Sequence, residues 1–176
     1  MKKKLTLWQF AGFATTSFLG TLLHFLYEWT GKSSLSALIS GVNESTWEHM
    51  KLLFFPMLAF ALAESRFFQK REDFWCVNLA GISLGLILIP VLFYTYNGIF
   101  GKSPDWFNIA VFFISAAAAY YTQAKLFERH NKKCLPTTVC LIALSLIGAA
   151  FIFFTFFTPI LPIFEDPITH TYGISV

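Results

Sequence analysis

The sequence predicts an all-α, polytopic transmembrane helix bundle, and three observations lead there. Of its 176 residues, 56% are hydrophobic and 22 are phenylalanine, more apolar surface than a water-soluble chain of this length can bury. Charged residues make up only 13% and gather between long apolar runs. The runs are close to the roughly 20 residues that cross a bilayer, and about five windows meet that length, at residues 5–29, 46–65, 75–96, 106–127 and 135–160. The segments between them are too short to fold alone, so residues 1–176 are expected to form a single transmembrane domain.

The opening run, "MKKKLTLWQFAGFATTSFLGTLLHFLYEW", starts like a signal peptide, but its apolar part is too long and ends in bulky residues. It is expected to be a retained first span. The next segment, "SSLSALISG", is too short to cross, so it should lie along the outer surface or dip in and return before the second span, placed where a lid could form. Pro56 and Pro159 should kink or end their helices, because proline lacks the N–H that a helix interior needs. In the third and fourth spans, the small residues of "LAGISLGL" and "SAAAAYY" suit close helix packing.

Lysine and arginine placement sets the orientation. Lys2, Lys3 and Lys4, then Arg66, Lys70 and Arg71, then Arg129, Lys132 and Lys133 fall on one side, which the positive-inside rule makes cytoplasmic. The N-terminus is therefore expected inside and the C-terminus outside. Tryptophans 8, 29, 47, 75 and 106 all fall at predicted span ends, where amphipathic rings settle. The net charge of +3 sits in short clusters, not along one face, which argues against nucleic acid as a partner. The bilayer itself is the expected partner, and so small a bundle also allows a homodimer. Cys76, Cys134 and Cys140 form no CxxC pair and suggest neither a disulfide framework nor a zinc knuckle.

Within this topology the chemistry-bearing residues gather near the outer face. Ser17, Thr21, His24 and Glu28 follow at spacings of four, three and four, which puts them on one face of the first helix. In "GVNESTWEHMKLLFF", Glu44, Glu48 and Lys51 share a face if the second helix starts early enough. His49 is rotated by about 100° from Glu48 and aligns with Ser45. Ionisable groups at membrane depth are costly and by default functional. Histidine nitrogens and carboxylate oxygens suit zinc or iron, so His24, Glu28, Glu44 and His49 are candidate ligands, with His170 of the tail as a further one. A metal with an open position activates water; Glu48 would then serve as general base and Asn43 or Lys51 would stabilise negative charge.

Plainer readings stand beside these. Glu28 with Lys32 and Glu48 with Lys51 are spaced as ordinary helical ion pairs. "STWE" is a capping box in which Ser45 caps the second helix and Glu48 reaches back. Glu64, beside Arg66, reads as an interfacial charge, and "EDPITHTYG" has the turn chemistry of a structured cap over the outer mouth.

The pairing of "HFLYEW" with "NESTWEHMK" resembles a family of small multi-pass bacterial membrane proteins of unknown function, over most of the chain. The resemblance implies an integral protein of the bacterial cell membrane with these outer-face motifs, centred on His24, Glu28, Asn43, Glu44, Glu48, His49 and Lys51, and it supplies no activity. The residues themselves favour a metal-dependent hydrolase acting on a lipid-linked or amphipathic substrate at the outer leaflet. A small transporter using the polar stripe of the first span, or an assembly subunit that binds a protein partner, are the alternatives.

Overall fold

Lipid offers no partner for a peptide N–H or C=O, so an apolar run of span length has to pair its backbone within itself. The computed structural model, which describes residues 2–68, 71–129 and 134–174 with side chains from Leu5 on, turns each predicted run into a helix. Helix α1 covers Lys2–Trp29, the single turn α2 covers Ser34–Ala37, and α3 covers Thr46–Ser65. Helices α4 (Phe74–Phe100), α5 (Asp105–Arg129) and α6 (Thr137–Phe156) follow, and a 3₁₀ turn at Pro162–Phe164 begins the tail. The described part is all-α, with one isolated bridge between Glu165 and Tyr172.

Four of these helices are long and apolar enough to cross a membrane: Leu5–Trp29 of α1, α4, α5 and α6. The second expected span, α3, is not among them, because Glu48, Lys51 and Glu64 lower its apolar character. Its position explains how it carries them. It packs against α1, α4, α6 and the tail, and its Lys51, Leu53 and Phe54 are fully buried. The other long helices sheathe it. Leu52, Phe54 and Met57 of α3 form the core with Ile82 and Leu86 of α4 and Phe151 of α6.

Close approach of the sheath helices depends on glycine. A Cβ at Gly12 would stand 2.4 Å from the Tyr120 ring, and one at Gly20 would stand 2.5 Å from Phe112. In α4, Gly81 receives Gln123 and Gly85 receives Leu53, so "LAGISLGL" does serve packing. Helix α1 ends at Gly31, which takes the left-handed conformation with φ 65°. The Lys32 N–H then bonds the Tyr27 carbonyl and the Gly31 N–H bonds that of Glu28, satisfying two carbonyls that the helix end would otherwise leave bare. The chain turns back there.

The alternating helices give the bundle two chemically different ends. Arg66, Arg71, Lys125 and Arg129 stand at one, and the α1 C-terminus, the α3 N-terminus and the tail meet at the other. Lys70, Lys132, Lys133 and His130 lie outside the described residues. At the basic end the cysteine reading needs correction, since Cys76 and Cys134 form a disulfide across 58 residues. Spacing alone hid it. The two meet because antiparallel α4 and α5 return the chain to the level of the α4 start before α6 begins. Cys140 stays free and buried in α6.

Candidate metal centre

The site is assembled by where α3 starts. Ser45 is its N-cap, with its hydroxyl accepting the Glu48 N–H at 3.3 Å, so Glu44 lies outside the helix and is not bound to its register. Freed from the face of Glu48 and Lys51, Glu44 turns toward the two histidines. One carboxylate oxygen stands 3.6 Å from His24 Nε2 of α1 and the other 3.6 Å from His49 Nε2 of α3. Ligand-type atoms of all three residues lie within 4.8 Å of one another. The histidine rings are 5.8 Å apart.

The geometry suits a small divalent ion. Bonds of about 2.0 Å place neighbouring ligands of a tetrahedral ion ~3.3 Å apart, so a modest contraction would bring the three into range. A two-histidine, one-glutamate set also leaves a fourth position open. The His49 ring is oriented by its Nδ1, which donates to the Ser45 carbonyl at 2.9 Å and so makes Nε2 the nitrogen that would bind an ion. The alignment of His49 with Ser45 that the sequence suggested is this bond.

Two cavities meet at the triad. The larger, about 530 Å³, has His24, Glu44 and His49 on one side and Ile89, Phe93 and Phe112 as an apolar wall. Its polar rim comes from the α4–α5 corner, through Asn97, Lys102, Ser103, Asp105 and Asn108. The Ser103 hydroxyl donates to Asn108 Oδ1 at 2.7 Å and the Ser103 N–H to Asn97 Oδ1 at 2.7 Å, which fixes this corner. The smaller cavity, about 300 Å³, shares His24 and Glu44 but is lined by Glu28, Lys32, Asp166 and Thr169.

The other residues singled out from the sequence have different places. Glu28 is exposed, lies 3.7 Å from Lys32, and stays out of the triad. His170 is also exposed, bonded to Glu165 at 2.7 Å. The face carrying Ser17, Thr21, His24 and Glu28 does not point inward as a whole; Thr21 and Glu28 are exposed, while Gln9, Gly12, Thr16 and Gly20 take the buried side. Glu48 and Lys51 form a buried ion pair at 2.5 Å, 3% and 0% exposed, instead of lining either cavity. Lys51 Nζ also donates to the Ala37 carbonyl and to Thr155 Oγ1, both at 2.9 Å. Glu48 accepts the Val42 N–H at 3.2 Å, so the capping box is altered: Glu48 reaches past Ser45, whose own N–H bonds Asn43 Oδ1. This network ties residues 37–45 to α3 and α6, and so holds Glu44 in place. Thr155 was not singled out from the sequence, because nothing in the run "FIFFTFF" marks one threonine as the partner of a lysine a hundred residues away.

The tail closes over the same loop. Asn43 Nδ2 donates to the Gly173 carbonyl at 3.0 Å, and the Glu44 N–H donates to Asp166 Oδ2 at 3.3 Å. Trp47 packs between Phe151 and Phe164, with ring centroids 4.6 and 4.8 Å away. The tail is thus a structured cap. Burial works against the Asp166 carboxylate, but the N–H groups of Ile168, Thr169 and Glu44 outweigh it and hold the group below its ordinary range. Its folded value is depressed, so its contribution is complete above the ordinary aspartate value of about 3.9 and is lost as pH falls through the lower folded value. Acidification from about pH 4 down through that lower folded value should therefore loosen the tail progressively. Pepsin cleavage within residues 162–174 is expected to accelerate by roughly an order of magnitude there, and Asp166→Asn should remove the pH dependence.

No curated protein and no solved structure matches the chain. A family model, described as a family of unknown function (DUF6512), matches residues 1–174.

Proposed function

The chain belongs to that family of unknown function, and from its site we propose that it is a membrane-embedded metalloenzyme that hydrolyses a lipid-linked or amphipathic substrate. His24, Glu44 and His49 would hold the ion, zinc or iron by the chemistry of their donor atoms. Such an ion, when bound, lowers the pKa of a coordinated water to about 7 and so supplies hydroxide at neutral pH. The chain's own residues do the rest. The Ser45 carbonyl fixes the His49 tautomer, Glu44 faces both histidines, and the Asp166 and Asn43 bonds keep the Glu44 loop from swinging away. Ile89, Phe93 and Phe112 would take the apolar part of a substrate while Asn97, Asn108 and Lys102 meet its polar head. Glu48, whose carboxylate is engaged with Lys51, Thr155 and the Val42 N–H, is assigned a supporting role in place of general base.

The observation that carries the proposal is the convergence of three ligand atoms within 4.8 Å on the wall of an amphipathic cavity. By the positive-inside rule the arginines at the opposite end would make that end cytoplasmic and the triad outward-facing, whereas the Cys76–Cys134 disulfide at the basic end would suit an oxidising side. The test is elemental analysis of protein purified without chelator or a metal-affinity tag. Near-stoichiometric zinc or iron in the wild type, lost in both His24→Ala and His49→Ala, is the expected result. Protein that stays metal-free after reloading would remove the metalloenzyme reading.

A further inference from the structure

The half of the bundle opposite the triad holds a second concentration of buried polar side chains. Gln9 and Thr16 of α1, Glu64 of α3, Asn78 of α4, and Tyr120 and Gln123 of α5 are each no more than 4% exposed. The sequence reading of Glu64 as an interfacial charge is therefore corrected, since it lies inside the bundle at 1% exposure. Some of these groups satisfy one another. The hydroxyls of Thr16 and Tyr120 are 2.7 Å apart, and Gln123 Nε2 donates to Asn78 Oδ1 at 3.2 Å.

Glu64 and Gln9 are paired differently. Gln9 Nε2 donates to Glu64 Oε1 at 3.3 Å, yet Gln9 Oε1 is buried without a partner. An acceptor that lacks a donor thus sits on the same amide that already contacts a carboxyl group. An ionised Glu64 cannot repair this, because a carboxylate only accepts. A carboxylic acid can: it takes the amide N–H on one oxygen and donates its O–H to the amide oxygen, so that both groups are satisfied together. The arrangement does not suit a metal cation, because the Gln9 N–H is aimed at the oxygen such an ion would need.

Among the described residues, no counter-charge for an anion faces Glu64. Tyr120 of α5 is the titratable neighbour, and its hydroxyl is bonded to Thr16. Arg66, at the end of α3, is exposed. Arg71 is taken up by Asp73 at 2.8 Å and by the Phe127 carbonyl at 3.0 Å. A bare carboxylate at 1% exposure would carry a heavy desolvation cost, offset among the described residues by the neutral Gln9 hydrogen bond.

We propose that Glu64 is a proton-binding site inside the bundle, holding its proton at neutral pH in a paired acid–amide contact with Gln9. The proton is the ligand, and it joins α1 to α3. Its release would set a carboxylate against the Gln9 oxygen, so the α1–α3 contact reports whether the proton is bound. The site owes nothing to the triad and stands whether or not a metal binds there.

Infrared difference spectroscopy of the purified full chain tests this. At neutral pH the wild type should show the C=O stretch of a protonated carboxyl group in an apolar setting, and Glu64→Gln should lose it. Labelling the wild-type glutamates with carboxyl ¹³C should shift the same band, an assignment that holds even if the variant folds poorly. Gln9→Leu should keep the band but move it to higher frequency, since its carbonyl loses the amide donor. Absence of any glutamate carboxylic-acid band in the folded wild type at neutral pH would overturn the proposal, as would a band that Gln9→Leu leaves unmoved.

Discussion

Lys51→Met is expected to cost about 3–5 kcal/mol of stability, the range for breaking a buried ion pair by removing one partner. Lys51 is fully buried, and its loss leaves Glu48 charged at 3% exposure with only the Val42 N–H and the Thr155 hydroxyl. Solvent screening, which reduces exposed pairs to about 1 kcal/mol or less, does not reach this one. Glu48→Gln should be similarly damaging, because it strands the ammonium among carbonyl and hydroxyl oxygens. The double variant should cost less than the two singles together, since each removes what the other leaves unpaired. Unfolding titrations with SDS in mixed micelles measure all three. A loss under about 1 kcal/mol for both singles would show that the pair behaves like a surface contact.

The second large effect concerns metal affinity. If Glu44 is a direct ligand as proposed, its removal should exceed the ten- to hundredfold loss typical of outer-shell partners, and Glu44→Gln should weaken zinc binding by about a hundredfold or more. Competition against a chromophoric chelator gives the number. Glu28→Gln and His170→Ala are the contrasting variants: both residues are exposed and engaged elsewhere, and neither should change affinity by more than about twofold, the scatter usual for surface substitutions. Equal losses in Glu44→Gln and Glu28→Gln would place the ion in the smaller cavity, where Glu28 is part of the lining.

Much of the architecture is written in hydropathy. The windows 46–65 and 106–127 fall on helices Thr46–Ser65 and Asp105–Arg129, and α4 runs past its window to Phe100 because a helix continues into the interface while its apolar signal fades. Helix periodicity placed His49 over Ser45, and the structure joins them by a hydrogen bond. Periodicity failed where the chain leaves the helix. Glu44 would share the face of Glu48 and Lys51 only in a helix that began earlier, and the cap at Ser45 leaves it outside, two residues before Thr46. The depth of Lys51 and Glu64 was hidden for another reason. Charge in a sequence marks cost, whereas burial depends on partners such as Thr155 and Gln9 that lie on other helices.

Because His24 and Glu44 form a wall common to both cavities, these two residues can be reached from two directions, and His49 from the larger cavity. The smaller approach is lined mainly by charged and hydroxyl groups, while the larger joins an isoleucine and phenylalanine wall to a polar rim at the α4–α5 corner. Small hydrophilic molecules and greasy ones therefore need not queue at a shared entrance, nor leave by the route they came. If the site is the hydrolytic centre proposed above, filling the larger cavity would still leave the smaller one as a route for water.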